Sequence, residues 1–543
     1  ENPIISIHDH GAGGHLNALS ELVEATGGHI DLDALPVGDP TLSSKEIVGN
    51  ESQERMGMVV EEKDVEYIRT VAERERAPFY VVGETSADEK FVFTRKDGVK
   101  PIDLELADMF GNSPKTVMTD TTVHHTYADA EYSEDKIDEY LRDVLSLEAV
   151  ASKDWLTNKV DRSVTGKIAR QQCQGEIQLP LSDCGVVSLD YRGKSGIATS
   201  IGHAPQVALI DSAKGSVMAV AEALTNIVSA PIARGIKGLS LSANWMWPCK
   251  NPGEDAALYR AVEACSDFAC ALGINIPTGK DSLSMTQKYG DDKVFAPGTV
   301  IISAAGEVTD VRRTVSPVLR NGVNSTLYYI DFSGDKLKTG GSALAQTLNR
   351  LGSEAPTVTD ADKFAATFNA VQALVKRGAL MAAHDVAAGG LVTTLLEMTF
   401  ANTNGGIQFS TDGFVANGEN DLVKILFAEN PALVVQIANN KCETAERTLR
   451  EAGVKFFAIG TPINERAVMV NHQGSERMLG IDYLRDVWMR SSYLLDCVQS
   501  GEKCAAMRYE NYKKQPLRYR LPKGWNGKLA SRNLAHGKHE KSG

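Results

Sequence analysis

A motif written twice constrains this chain more than any other feature. His8-Asp9-His10-Gly11-Ala12-Gly13-Gly14 returns 376 residues later as His384-Asp385-Val386-Ala387-Ala388-Gly389-Gly390, and Gly27-Gly28 returns 378 residues later as Gly405-Gly406. Between motif and glycine pair each copy has an apolar-periodic helix, with Glu21 in the first and Glu397 in the second. Glu51, ahead of the apolar run 56–60, answers Glu429 ahead of 433–435, and Gly83 answers Gly460. Landmarks in near register over such a length are the mark of a duplicated structural unit. Residues 1 to about 115 and about 318 to 475 therefore read as two copies of one α/β domain, here called C-type. Glycine-rich strand-to-helix turns, amphipathic helices and short strands such as Phe79-Tyr80-Val81-Val82 compose it.

The rest of the chain organises around the copies. Residues 116–148 are polar and acidic with a weak helical period and read as a linker or small helical element. Residues 149–317 form a different α/β unit, N-type, with strands expected at 206–210 and 300–303 and a helix over 212–229 stopped by Pro231. The tail, 476–543, holds an amphipathic helix carrying Tyr483, Val487, Trp488, Tyr493, Leu494 and Leu495, then a basic polar end. A length of 543 residues and 43% hydrophobic composition suit several cores, and a net charge of −13 disfavours a general nucleic-acid or anionic-membrane binder. No apolar stretch is long enough to span a bilayer and no signal peptide is evident, so a cytoplasmic location is expected. The eight cysteines show no C-x-x-C pair and read as reduced thiols. The chain opens at Glu1 without Met, as a piece excised from a longer polypeptide would.

Three features bear on chemistry. Glu222 and Asn226, spaced i and i+4 on the expected helix, place two hard oxygen donors on one face, as a Mg²⁺ site requires. Asp183, after a strand-like run, and Asp385, in the second glycine motif, are further carboxylates; the bland reading is an exposed polar helix face. The glycine turns themselves let backbone N–H groups approach a phosphate at a helix start, although an unliganded tight turn has the same sequence. Neither is a Walker A loop, and 273–281 has the wrong spacing for one. Asn50-Glu51-Ser52-Gln53-Glu54-Arg55 and 277–285 are dense in hydrogen-bonding side chains and read equally well as solvated loops, while Lys153 stands alone. No cysteine lies in a nucleophile elbow.

These residues, with Ser242-Ala243-Asn244-Trp245-Met246 and Gly279-Lys280-Asp281-Ser282, resemble the large multidomain phosphoribosylformylglycinamidine synthases (formylglycinamide ribonucleotide amidotransferases) of purine biosynthesis. The resemblance runs through nearly the whole chain and implies a duplicated α/β (α+β) fold of the aminoimidazole ribonucleotide synthetase-like superfamily, with one N-type and two C-type domains present here. It implies ATP-dependent amidine formation on formylglycinamide ribonucleotide with ammonia from glutamine. Mg²⁺ would be held by Asp183, Glu222, Asn226 and Asp385 beside an ATP or ADP touched by Lys153, Ser182 and Ala387, with Asp9 a metal ligand of the first-half site. Glu51, Ser52 and Gln53 resemble the family's substrate-binding stretch, and Ser282 is a further substrate candidate. Ala387 and Ala388 depart from the polar pair common in the superfamily, which implies a nucleotide bound for structure rather than turnover. The resemblance further implies that an N-terminal half and a glutaminase domain lie outside this chain, that no catalytic residue lies within it, and that the chain alone is inactive. A non-catalytic nucleotide-binding scaffold and another ATP-dependent member of the superfamily are the alternatives.

Overall fold

In a computed structural model, which describes residues 2–51, 55–111, 115, 117–157, 166–514 and 516–517, the chain divides into two compact units, residues 1–118 and 119–543.

The first unit is built on β1 (Ile4–Asp9), β2 (Gly28–Asp31), β3 (Met56–Val60), β4 (Gly83–Thr85), β5 (Lys90–Thr94) and β6 (Ile102–Glu105). β1 pairs antiparallel with β3, and a second sheet runs in the order β4-β2-β5-β6. After β1 the chain turns through Gly13 and Gly14, both at positive φ, into helix Gly14–Leu22. A Cβ on Gly14 would stand 2.4 Å from the Asn50 carbonyl oxygen, so only glycine permits this turn to press against the backbone just after helix Ser44–Val48. Phe91, Phe93, Leu19 and Leu32 form the small core.

The second unit contains β7 (Ile168–Arg170), the short pair β8 (Cys173–Gln174) and β9 (Leu179–Pro180), β10 (Gly185–Ser188), β11 (Gly196–Gly202), β12 (Leu239–Met246), β13 (Asn275–Ser282), the hairpin β14 (Thr286–Tyr289) and β15 (Asp292–Phe295), and β16 (Thr299–Val308). Six of these form one sheet, β13-β12-β16-β11-β10-β7. Burial alternates along β11 and β16, as expected of a sheet with one covered face. Helix Ser212–Ile227 packs on that face, and Ala219, Ala223 and Leu224 meet Ala198, Ile302 and Ala304. A second sheet adds β17 (Ser325–Asp331), β18 (Leu380–Val386), β19 (Gly406–Ser410), β20 (Ala432–Ala438), β21 (Phe456–Ile463), β22 (Ala467–His472) and β23 (Ser475–Gly480), in the order β18-β20-β17-β21-β19-β22-β23. Both of its faces are covered. Tyr328 and Ile330 join the core of the six-stranded sheet, while Leu327 and Tyr329 face a second core with helices Gly390–Phe400 and Ile481–Ser500. Gln372, on helix Ala361–Arg377, fastens the two layers by bonding the Val228 and Ala230 carbonyls and accepting from Ile232 N.

The duplication is visible in the pairing. β4-β2-β5-β6 and β21-β19-β22-β23 share the sequence antiparallel, parallel, antiparallel, and β1–β3 corresponds to β18–β20. In the second copy β17 joins the two parts into one sheet, whereas among the described residues of the first copy they remain separate. Gly83 and Gly460 do the same work: a Cβ would lie 2.2 Å from His29 O in one and 2.1 Å from Gln408 O in the other.

Several expectations need correction. Residues 206–210 are not a strand but lie in the helix Pro205–Ile210, where Pro205 presets φ for the first turn and Val207 packs on Met218. Phe79-Tyr80-Val81-Val82 is an approach rather than a strand, with Tyr80 and Val81 exposed; pairing begins where Val82 O accepts Asp31 N. Of the two readings of 116–148, linker or small helical element, the helix Ile137–Ser146 is present, and it buries Ile137, Tyr140, Leu141, Val144 and Leu145 in a core. Ahead of that helix Asp120 accepts from the backbone N–H groups of Gly253, Asp255 and Ala256 at the start of helix Glu254–Leu272, and Tyr132 bonds Asp421. Asp120 thus acts as a helix cap. In the tail, Trp488 is buried and donates to Val150 O, but Tyr483 and Leu494 face solvent; the basic end lies outside the described residues. Among the described residues no helix is long and apolar enough to cross a membrane.

Two outcomes follow. Gly460→Ala forces its methyl into a strand carbonyl and costs about 1 to 3 kcal/mol, read as a lower denaturant midpoint. In the first unit, buried His15 packs edge-on against His10 at 4.9 Å and accepts from Arg55 at 2.9 Å. Burial, helped by His10 and Arg55, holds its pKa down at about 4. The unfolded chain, near the ordinary 6.5, takes the proton first, so the first unit loses up to about 3 kcal/mol as pH falls from 6.5 to 4. Limited proteolysis of the unit across that range measures the loss. The His10→Val/His15→Leu double variant, carrying the residues at matching places of the second copy, flattens it.

Candidate nucleotide and cation site

The second glycine turn leaves β18 at Val386 and enters helix Gly390–Phe400 through Gly389 and Gly390, both at positive φ. The last residues of β18 carry the polar groups. His384 and Asp385 are buried beneath the turn and meet Asp183, which comes from the loop between β9 and β10. His384 Nδ1 lies 2.7 Å from Asp183 Oδ1 and 3.6 Å from Asp385 Oδ1, and its Nε2 lies 2.9 Å from Glu397 Oε2. One ligand atom from each of Asp183, His384 and Asp385 falls within a 4.8 Å cluster.

The electrostatics of this cluster are unfavourable as it stands. Asp183 Oδ2 and Asp385 Oδ2 are buried with no hydrogen-bond partner. Burial raises the Asp183 carboxyl, and burial together with the charge of Asp183 pushes Asp385 well above the carboxylate range. Burial opposes the imidazolium of His384, but Asp183 and Glu397 outweigh it and hold that group well above its ordinary value. Glu222 is close enough to Asp385 to add to the repulsion. It sits on helix Ser212–Ile227, with Oε2 accepting the His203 N–H at 2.6 Å. Asn226, one turn on, donates its amide to Ile201 O at 2.9 Å, a bond that does not use its carbonyl oxygen. Burial of unpaired carboxylates is costly unless a cation compensates, and an all-oxygen set with an amide suits a hard divalent ion. The carboxylate oxygens of Asp183 and Asp385 therefore suit Mg²⁺, while the 4.8 Å cluster also holds the His384 ring and does not include Glu222.

The remaining expected residues fall in different places. Ser182 Oγ donates to Cys184 O, and Ala387 O accepts Gly390 N inside the turn. Lys153, half-buried, gives its ammonium to the carbonyls of Glu148, Ala149 and Ala151; burial lowers its pKa while Glu397 and Glu148 oppose the shift. Ser282 ends the edge strand β13 and accepts from Lys280 Nζ at 2.7 Å. β13 lies four strands from β10, roughly 19 Å at ordinary strand spacing, so Ser282 is not part of the Asp183 cluster. In the first unit Asp9 is exposed at the end of β1, and Glu51 Oε1 accepts Gly13 N at 3.1 Å; Ser52 and Gln53 lie outside the described residues.

Sequence reasoning gave no role to His384, Glu397 or Glu429. Glu429 Oε1 accepts Gly389 N at 2.7 Å and Ala343 N at 2.8 Å, and burial pushes its carboxyl up to about 7. The repeat was the signal available. His8 pairs with Glu21 at 2.6 Å as His384 does with Glu397, and Glu51 reaches Gly13 as Glu429 reaches Gly389.

Comparison with known proteins agrees with this architecture. Residues 152–307 match the FGAR-AT PurM_N-like domain, and residues 1–96 and 328–472 both match the AIR synthase related protein C-terminal domain. The chain is 37% identical over 529 residues to human phosphoribosylformylglycinamidine synthase, covering 93% of this chain and 39% of that protein. It is 34% identical over 541 residues to a probable phosphoribosylformylglycinamidine synthase, chloroplastic/mitochondrial, of Arabidopsis thaliana, covering 97% of this chain and 38% of that one. Thermotoga maritima PurL complexed with ATP superimposes with a TM-score of 0.53 at 17% identity over 85% of this chain and 64% of that chain; the same protein complexed with ADP gives 0.52. At that identity the likeness speaks to the fold. The chain thus spans about two fifths of the length of the curated relatives it matches. A duplicated C-type domain around one N-type domain, matched along nearly its whole length at more than a third identity, belongs to the phosphoribosylformylglycinamidine synthase family.

Proposed function

We propose that this chain is the part of a cytoplasmic phosphoribosylformylglycinamidine synthase that binds Mg²⁺ and an adenine nucleotide in its second half. The parent activity is the ATP- and glutamine-dependent conversion of formylglycinamide ribonucleotide to the amidine. The observation that carries this reading is the pair of buried, unpartnered oxygens on Asp183 and Asp385. When bound, Mg²⁺ neutralises nucleotide phosphates and fixes their geometry. On the protein side, Asp183, Glu222, Asn226 and Asp385 hold the cation, and the His384 ring, held between Asp183 and Glu397, fixes the Asp183 carboxylate. Lys153 and the backbone around Ser182 and Ala387 border the nucleotide.

In this reading the second copy binds without turnover. Ala387 and Ala388 offer no side-chain group to a reacting phosphoryl, so the nucleotide there stabilises the fold by mass action. Substrate chemistry falls to the first copy, with Asp9 as a metal ligand and Glu51, Ser52 and Gln53 as substrate contacts; Ser282 is a separate substrate candidate. The remaining parts of the synthase, including its source of ammonia, act as partners, and the chain alone holds nucleotide without making amidine.

The test is the content of the purified chain. Wild type retains an adenine nucleotide and magnesium in equal amounts. Asp183→Asn, which keeps an acceptor for His384 but removes the charge, lowers Mg·ADP affinity by about tenfold or more, equivalent to about 1.4 kcal/mol. Chelation lowers the melting temperature of wild type more than that of the variant. Equal Mg·ADP affinity in the two proteins would overturn the assignment.

A further inference from the structure

The carboxylate that follows each glycine turn is repeated as a contact, not only as a letter. Glu51 accepts the N–H of Gly13, and Glu429 accepts the N–H of Gly389, in each case the first left-handed residue of the turn. A turn of two successive positive-φ glycines has little intrinsic preference for one geometry, because glycine visits many. Something outside the turn must choose. In the second copy the choosing atom is Glu429 Oε1, and that oxygen also accepts Ala343 N, at the start of helix Ala343–Thr347. Glu429 itself stands just ahead of β20, the strand paired with β18, so the clamp is anchored in the sheet that delivers His384 and Asp385.

We infer that Glu429 is a positioning residue of the second-copy site: it fixes the glycine turn and the start of helix Ala343–Thr347 in the single arrangement that receives the nucleotide phosphates. This rests on the functional reading above for the identity of the ligand, while the clamp itself rests on the hydrogen bonds. What the position requires is an acceptor for two N–H groups. Gln supplies one through its carbonyl oxygen, and Ala does not. The two substitutions therefore separate geometry from charge.

The experiment compares Glu429→Ala, Glu429→Gln and, as a control for general destabilisation, Leu449→Ala, a buried core residue on helix Asn439–Glu451. Amide hydrogen exchange is followed in chelator without nucleotide, and Mg·ADP affinity is measured well below each melting temperature. Glu429→Ala is expected to speed exchange about tenfold or more at Gly389 and Ala343 together, and to weaken Mg·ADP by about tenfold. Glu429→Gln stays within about threefold of wild type in both. Leu449→Ala lowers the melting temperature without singling out either amide. Unchanged exchange at Gly389 in Glu429→Ala, or an equal effect from Leu449→Ala, overturns the clamp. If wild type takes up no Mg·ADP while exchange behaves as expected, the clamp stands and the nucleotide reading fails.

Discussion

Two carboxylates that share one imidazole, Asp183 and Asp385, are brought together inside the protein by elements from two different sheets. One arrives on the loop before β10 and the other at the end of β18, and His384 bridges them imperfectly, satisfying one oxygen of Asp183 and leaving two oxygens bare. Such an arrangement persists only if the scaffold is stiff enough to bear the repulsion. The shared core beneath the two sheets, in which Ile302 and Ala304 meet helix Ser212–Ile227 and Tyr328 and Ile330 close the other side, supplies that stiffness, and Gln372 fastens the layers.

Duplication explains why the same devices recur with different consequences. The His–Glu pair, the left-handed glycines and the carboxylate on the turn appear in both copies. Their surroundings differ. In the second copy the His384 and Glu397 side chains are 9% and 18% exposed; in the first, His8 and Glu21 are 41% and 34% exposed. The exposed pair keeps its geometry in water, where charge is cheap, whereas the buried pair works in a medium where each charge must be answered.

Much of this was legible in the sequence for a physical reason. Glycine motifs and their spacing encode backbone geometry directly, so the repeat could be read letter by letter and the strand pairing followed it. Glu222 and Asn226 were legible because helical spacing places them on one face. What could not be read were properties fixed at long range. Residues 206–210 have strand-like composition, and Pro205 together with the packing of Val207 on Met218 decides for helix. The acids of 116–148 resemble a solvated tether until Asp120 is seen capping a helix more than 130 positions away. Lys153 stood alone in the sequence, and only the fold shows its ammonium bonded to the carbonyls of Glu148, Ala149 and Ala151. Glu429 was a landmark in the repeat, and only its distances give it a task.

Divergence at two turn-flanking positions shows how far the copies have been driven apart. Where the second copy has Val386 and Leu391, both buried and apolar, the first has His10 and His15, also buried, with an unpartnered Nδ1 on each. Aliphatic side chains at such positions stabilise by packing alone. A buried imidazole pair costs stability and gains it back only through Arg55 and the neutral state. The costlier pair stands beside Asp9 and Glu51, in the copy whose turn is the more open to solvent, so the polarity of that turn is carried at a cost in stability. In the second copy the apolar flanks leave the burial of polar groups to the acids beneath the turn.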